Sequence, residues 1–255
     1  MSVSFFLVSI VTMTIFYVWA GLRKDISVID IAWGVGFVLL AVIPLFLAEA
    51  ILPRQMLIAV FVILWGVRLS SYIFLRIRKN GEDYRYAAFR KAWGDSFYLR
   101  SYVQIFLVQA VLQFIIALPI LAIHTSQITS FSVLDSLGIS LWFIGFIIET
   151  LADMQMYIFK SNPANKGKLM TTGLWKYSRH PNYFGEICMW WGIFFIAASI
   201  GQVWTIISPL VITYLLVFVS GIPLLEEKMS DYPEFPEYKK KTSILFPWFQ
   251  KEVTQ

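Results

Sequence analysis

The chain is poor in the groups on which soluble enzymes rely. Charged residues make up only 15% of its 255 positions and hydrophobic ones 58%, which leaves too little polar surface to keep a water-facing domain dissolved. Cys188 is the one cysteine, so an intramolecular disulfide is excluded. His124 and His180 are the only histidines, too few for a zinc or di-iron cluster, and no metal is expected. The sequence contains no Gly-x-Gly-x-x-Gly after a strand-like run, no Walker A loop and no Gly-x-Ser-x-Gly elbow. The standard phosphate cradles and the standard serine nucleophile are therefore missing. No short-period repeat or low-complexity tract is present either.

What is there is a series of apolar runs. Crossing a bilayer takes about 20 helical residues, and seven segments meet that demand: 3–20, 27–48, 55–75, 102–123, 134–159, 183–200 and 203–222. The expectation is an all-α, polytopic seven-helix bundle, a single integral membrane domain over 1–255. The run 3–20 lacks a basic n-region and an Ala-x-Ala site and is followed by Arg23-Lys24, so it reads as a retained span. Segments 21–26, 76–101, 160–182 and 223–255 carry two, seven, five and five Lys plus Arg, whereas 49–54 carries one and 124–133 and 201–202 none. By the positive-inside rule the N-terminus lies outside and the C-terminus in the cytoplasm. The net charge of +5 then reports orientation and contact with anionic lipids or ligands, not nucleic acid. Loop 76–101, with Tyr84, Tyr86, Phe89 and Trp93 among its cations, reads as an amphipathic helix at the headgroup boundary. The apolar-aromatic end of the tail is too short to span and is expected to fold back. His124 reads as a solvated loop residue.

Ionisable groups within the spans cost about 2.5–3.5 kcal/mol each unless paired or hydrated, which makes Asp30, Arg68, Glu149, Asp153 and Glu186 candidates for function. Asp30 closes Ser27-Val-Ile-Asp30, which matches a helix capping box as well as an active-site carboxylate. Arg68 falls near mid-depth and calls for an acidic partner such as Asp30 or Glu149. Glu149 and Asp153 share one helix face, with Lys160 two turns on. They read either as a structural ion-pair group or as the wall of a polar ligand cavity.

The most informative stretch is 173–192, GLWKYSRHPNYFGEICMWWG, where Arg179, His180, Asn182, Tyr183 and Glu186 crowd one helix entry. Glu186 either receives a ribose hydroxyl or neutralises Arg179. Lys160, Lys168, Lys176 and Arg179 lie on one loop, where they can grip phosphates while Asp153 and Glu186 take sugar hydroxyls.

With span five, the 173–192 stretch, the tail GIPLLEEKM…YKKKTSILFPWF and the weaker IDIAWG and WGVRLS motifs, the chain resembles the steroid 5-alpha-reductase superfamily, most closely its bacterial-type DUF1295 branch. The resemblance covers most of the chain, with the cofactor motifs in 134–249. It implies a multi-pass membrane reductase that takes NADPH from the cytoplasmic side and delivers hydride to a lipophilic, steroid- or isoprenoid-like enone. Carried over by position, the cofactor residues are Asp153, Lys160, Lys168, Asn182, Tyr183 and Glu186, with Gly185 between them, and the cavity and phosphate readings add Glu149 and Arg179. Asp30, neutral through burial, and Arg68 are the catalytic candidates. The chain departs from the pattern before its tail, where Gly221 to Glu227 replaces the Arg and His of the steroid reductases. The Arg-His-Pro-x-Tyr element is also similar to membrane methyltransferases of the isoprenylcysteine carboxyl type, which implies S-adenosylmethionine as the alternative cofactor. A non-enzymatic lipid-binding protein is a third reading.

Overall fold

In the computed structural model, which describes residues 2–251, the chain is helical, and among the described residues the only β-pairing is one isolated bridge between Ser178 and Ser243. The described residues form two compact units, 2–130 with 200–205, and 131–199 with 206–251.

The first unit contains α1 (Ser2–Arg23), α2 (Val28–Leu47), α3 (Pro53–Asn80), α4 (Tyr84–Trp93), α5 (Phe97–Ser101), α6 (Val108–Ile116) and α7 (Leu118–Thr125). Pro53 opens α3, the Gln55 side chain accepts the Leu52 N–H at 3.1 Å, and Gly81, at φ 74°, ends it by donating to the Ile77 carbonyl. These are the start and stop signals expected of a helix whose end groups must be satisfied locally. Helices α2 and α3 touch backbone to backbone: a Cβ on Gly34 would lie 2.6 Å from the Gly66 carbonyl oxygen. That contact brings IDIAWG and WGVRLS together. Between α5 and α6 the backbone widens into a π-helical stretch, Tyr102–Leu107, and the helix breaks at Ala117, so the expected span 102–123 is instead part of a longer helical series over 84–116 followed by α7. His124, expected in solvent, is buried at the end of α7, with the Gln55 amide donating to its carbonyl.

The second unit contains α8 (Val133–Ser161), α9 (Pro181–Ala198), α10 (Ile207–Tyr214), a π-helical stretch Leu215–Val219, α11 (Ile222–Met229) and α12 (Phe235–Lys241). A capping box between Ser132 and Asp135 starts α8. Its dominant contact is with α9, which runs antiparallel to it. Gly138 faces Gly192 and Gly145 faces Gly185, each pair so close that a Cβ on Gly138 would lie 2.5 Å from the Gly192 carbonyl oxygen. The two glycines are seven residues apart on each helix, about two turns, so both fall on the contact face.

Among the described residues, six helical segments are long and apolar enough to cross a membrane: Ser2–Arg23, Val28–Leu47, Pro53–Lys79, Tyr84–Ile116, Val133–Ser161 and Val203–Met229. Their outward faces are apolar. On α1, Leu7, Val11, Ile15, Val18 and Leu22 form an exposed stripe at helical spacing, a pattern that water penalises and lipid accepts. The molecule is a multi-pass membrane protein.

Candidate functional site

The 173–192 stretch is held from three sides. Gly173, at φ 62°, packs where a Cβ would meet the Gln155 amide 2.5 Å away, and Gln155 Oε1 accepts the Leu174 N–H at 2.9 Å. Buried Trp175 donates its indole N–H to the Ala152 carbonyl at 3.2 Å. Both α8 residues thereby fix the turn against α8.

The tail supplies the third side, folding back as expected. The Arg179 N–H donates to the Ser243 carbonyl at 2.8 Å, the Ser178 hydroxyl to Leu245 at 2.7 Å and the Trp248 N–H to Tyr177 at 3.0 Å. Tyr238 on α12 donates its hydroxyl to the Trp175 carbonyl, and burial pushes that phenol's pKa above its ordinary value.

Arg179 is the centre of this docking. Its guanidinium donates to Glu226 Oε1 at 2.7 Å, to the Thr242 carbonyl at 2.6 Å and to the Lys239 carbonyl at 3.1 Å. Lys239 adds a second cation to Glu226 at 3.2 Å. His180, fully buried, stacks on Tyr183 with ring centroids 5.6 Å apart, and its Nε2 lies 3.5 Å from Glu226 Oε1, too far for a well-formed hydrogen bond. Burial lowers the imidazole pKa, an effect partly offset by Glu226. Glu226 and Tyr238 are structural participants that the sequence reading passed over. A carboxylate following Pro223 in the first turns of a short helix was the available signal.

Beyond this knot, α8 and α9 bring the predicted carboxylates to one end of their interface. Glu149, Asp153 and Glu186 are all buried. Asn182 donates its amide to Asp153 Oδ1 at a long 3.4 Å, and the Glu149 Cβ lies 2.8 Å from the place a Gly185 Cβ would take. Glycine at 185 thus lets the carboxylate-bearing turn of α8 approach Asn182 and Glu186 on α9. The Asn182 carbonyl oxygen is buried and makes no hydrogen bond among the described residues, an unused acceptor of the kind a ligand donor completes. Lys160 and Lys168 are exposed on the adjoining end of α8 and its loop.

The catalytic candidates belong to the first unit. Arg68 lies half-buried on α3. Asp30 accepts from Arg76 and Arg85, both at 3.2 Å, and from the Tyr86 hydroxyl at 2.8 Å. Its capping role is not used: Ser27 makes no side-chain cap bond, and its hydroxyl instead accepts the Asp83 N–H at 2.8 Å. Asp30 is therefore the acceptor at the centre of a group of three donors. Segment 76–101, rich in cations and aromatics, supplies those donors.

The candidate site residues from Asp30 to Glu226 lie within 16–242, the region that matches the family described as "Protein of unknown function (DUF1295)". The chain belongs to the DUF1295 family. A relative in Schizosaccharomyces pombe, itself an uncharacterised protein, is 28% identical over 221 residues, covering 76% of this chain and 63% of that protein. The DUF1295 chain thus spans just under two thirds of that relative's length. A shorter similarity, 41% over 46 residues, covers 18% of the chain and 16% of a probable O-methyltransferase, ustE, of Ustilaginoidea virens. No solved structure matches the chain significantly.

Proposed function

We propose that this DUF1295 protein is a membrane-embedded, NADPH-dependent reductase that saturates the C=C bond of a lipophilic enone, in line with its resemblance to the steroid 5-alpha-reductase superfamily. The observation that carries the reading is the group of buried acceptors at the lysine-bearing end of the α8–α9 pair: Glu149, Asp153, Glu186 and the unused carbonyl of Asn182. Acceptors of this kind suit ribose hydroxyls and a carboxamide, and the exposed Lys160 and Lys168 suit phosphates. The donor set therefore fits a dinucleotide.

Tyr183, whose ring stacks on His180, is in this reading the aromatic member of the cofactor group next to Asn182. Arg179 has its guanidinium committed to Glu226 and the tail carbonyls, so in this reading it is a positioning residue that holds the segment carrying Asn182 and Tyr183. When bound, the nicotinamide supplies hydride for the β-carbon of the enone. Arg68, in the first unit, is the catalytic candidate nominated by its mid-depth place in the sequence, as a cation for charge on a substrate oxygen. Asp30 positions Arg76, Arg85 and Tyr86. The complete seven-span topology, N-terminus outside and site facing the cytoplasm, requires the 18-residue α9 to cross as well, although its polar entry keeps it outside the six strongly apolar segments.

One observation favours a second reading, S-adenosylmethionine-dependent methyl transfer: the short similarity to a probable O-methyltransferase. Adenosylmethionine carries no phosphates and gives Lys160 and Lys168 no task. Thermal unfolding of the purified protein in detergent separates the two. NADPH at about 100 times its Kd should stabilise the fold by about 2.7 kcal/mol, a shift of several degrees, and Glu186→Ala or Lys160→Ala should remove most of it. A shift with adenosylmethionine and none with NADPH would move the assignment to methyl transfer. No shift with either would favour the lipid-binding reading.

A further inference from the structure

The ends of α1 and α3 and the start of α2 enclose a crevice of about 250 Å³ in the first unit. Trp19, Arg23 and Arg78 form its polar rim, and Val28, Ile31, Phe74 and Ile77 its apolar wall. The two arginines are unusual in this neighbourhood because no nearby carboxylate pairs with them. Asp30 is paired with Arg76 and Arg85, Asp83 with Arg85 and Glu82 with Arg90, while Asp25 accepts the Ser27 N–H.

Arg23 rests over the Trp19 ring, 5.8 Å from its centroid, and among the described residues neither Arg23 nor Arg78 forms an ion pair. Both are exposed. Arg23 ends the apolar helix Ser2–Arg23, and Arg78 lies in the last turn of α3. A tryptophan and two arginines closing apolar helices occupy the depth at which side chains meet lipid headgroups. Just below them, exposed Val18, Leu22 and Leu75 present the apolar surface that acyl chains cover.

We infer that this crevice binds the phosphate headgroup of an anionic phospholipid, with Arg23 and Arg78 on the phosphate and the acyl chains on the outer faces of α1 and α3. Charge complementarity selects the occupant: two uncompensated guanidiniums suit one phosphodiester oxyanion group, and the cavity takes a headgroup but not a whole lipid. The inference concerns a site separate from the proposed cofactor residues and stands whether or not the chain is a reductase.

The test is the affinity of the full-length, delipidated protein in neutral detergent for phosphatidylglycerol, phosphatidylcholine and inorganic phosphate, read by native mass spectrometry. A basic side chain near the surface contributes about 1 kcal/mol towards an anionic lipid. Two should therefore favour phosphatidylglycerol over phosphatidylcholine on the order of tenfold to thirtyfold. Arg23→Gln/Arg78→Gln should bring the two lipids within about twofold. Each single variant should lose about half of the preference on a logarithmic scale, and because both side chains are exposed the fold should persist. The charge-matched control Lys240→Gln/Lys251→Gln should keep the wild-type preference. Equal losses in the control would overturn the site in favour of bulk charge. Displacement of the lipid by millimolar inorganic phosphate would overturn it in favour of a soluble-anion site.

Discussion

Arg179 illustrates how a residue's surroundings decide what its chemistry means. Next to His180 and three residues before Asn182, it reads in the sequence as a phosphate ligand. In the fold its guanidinium is buried and faces Glu226 and two tail carbonyls. Truncating one member of such a buried pair leaves the other charge uncompensated, at a cost of about 3–5 kcal/mol. Arg179→Ala should therefore lower the unfolding temperature by roughly ten degrees in detergent. Glu226→Ala on the Arg179→Ala background should recover part of that loss in a double-mutant cycle. A direct phosphate ligand would instead leave the apo protein's stability nearly unchanged and abolish only the cofactor-dependent shift. Asp30 makes the same point: in the sequence it stands beside no cation within its own helix, yet in the fold Arg76, Arg85 and Tyr86 all present donors to it.

At the scale of elements, the α8–α9 pair is the structural core of the candidate site. Its close approach depends on four glycines, each of which presents backbone to the opposing backbone. A methyl group at Gly185 would meet the Gly145 carbonyl oxygen at 2.6 Å and the Glu149 N at 2.7 Å, contacts that only a shift of one helix can relieve. Gly185→Ala or Gly192→Ala should cost about 1–3 kcal/mol, the usual penalty of overpacking. The Gly185 change should also weaken any ligand response, because it moves Glu149 away from Asn182. Gly21→Ala on α1 meets no atom within 4 Å and should leave the unfolding temperature unchanged or slightly raised. Comparable losses at Gly21 and Gly185 in the same melting assay would show that the α8–α9 contact is not what these glycines serve.

The whole molecule is a membrane protein by composition and by its outward apolar faces, and its orientation rests on where its cations lie. The proposed seven-span arrangement would put segment 124–133 outside and 160–182 inside. Cysteine labelling checks this directly, because Cys188 is buried and should give little background. Gln127→Cys should react with a membrane-impermeant maleimide added to intact cells or right-side-out vesicles. Ala164→Cys should react only after permeabilisation. Labelling of both from the same side would mean that an odd number of crossings does not separate them, and α8 could not then be a span.

The sequence by itself determined the solvent, the helical class, the approximate spans and the family resemblance, because those depend on summed hydropathy, charge placement and short motifs that are legible one segment at a time. It also singled out Glu149, Asp153, Asn182 and Glu186, since polar groups within apolar runs are conspicuous wherever they point. Only the tertiary structure decided their partners. That Asn182 reaches Asp153, that Glu226 takes Arg179 and that Asp30 gathers Arg76, Arg85 and Tyr86 are pairings between residues 29 to 56 positions apart. Such pairings follow from helix crossings set by glycine contacts and from a tail that folds back, and neither tells, from one segment alone, which residue of another segment it will meet. Burial turns the same arginine from a ligand into a strut, and burial is a property of the packed molecule.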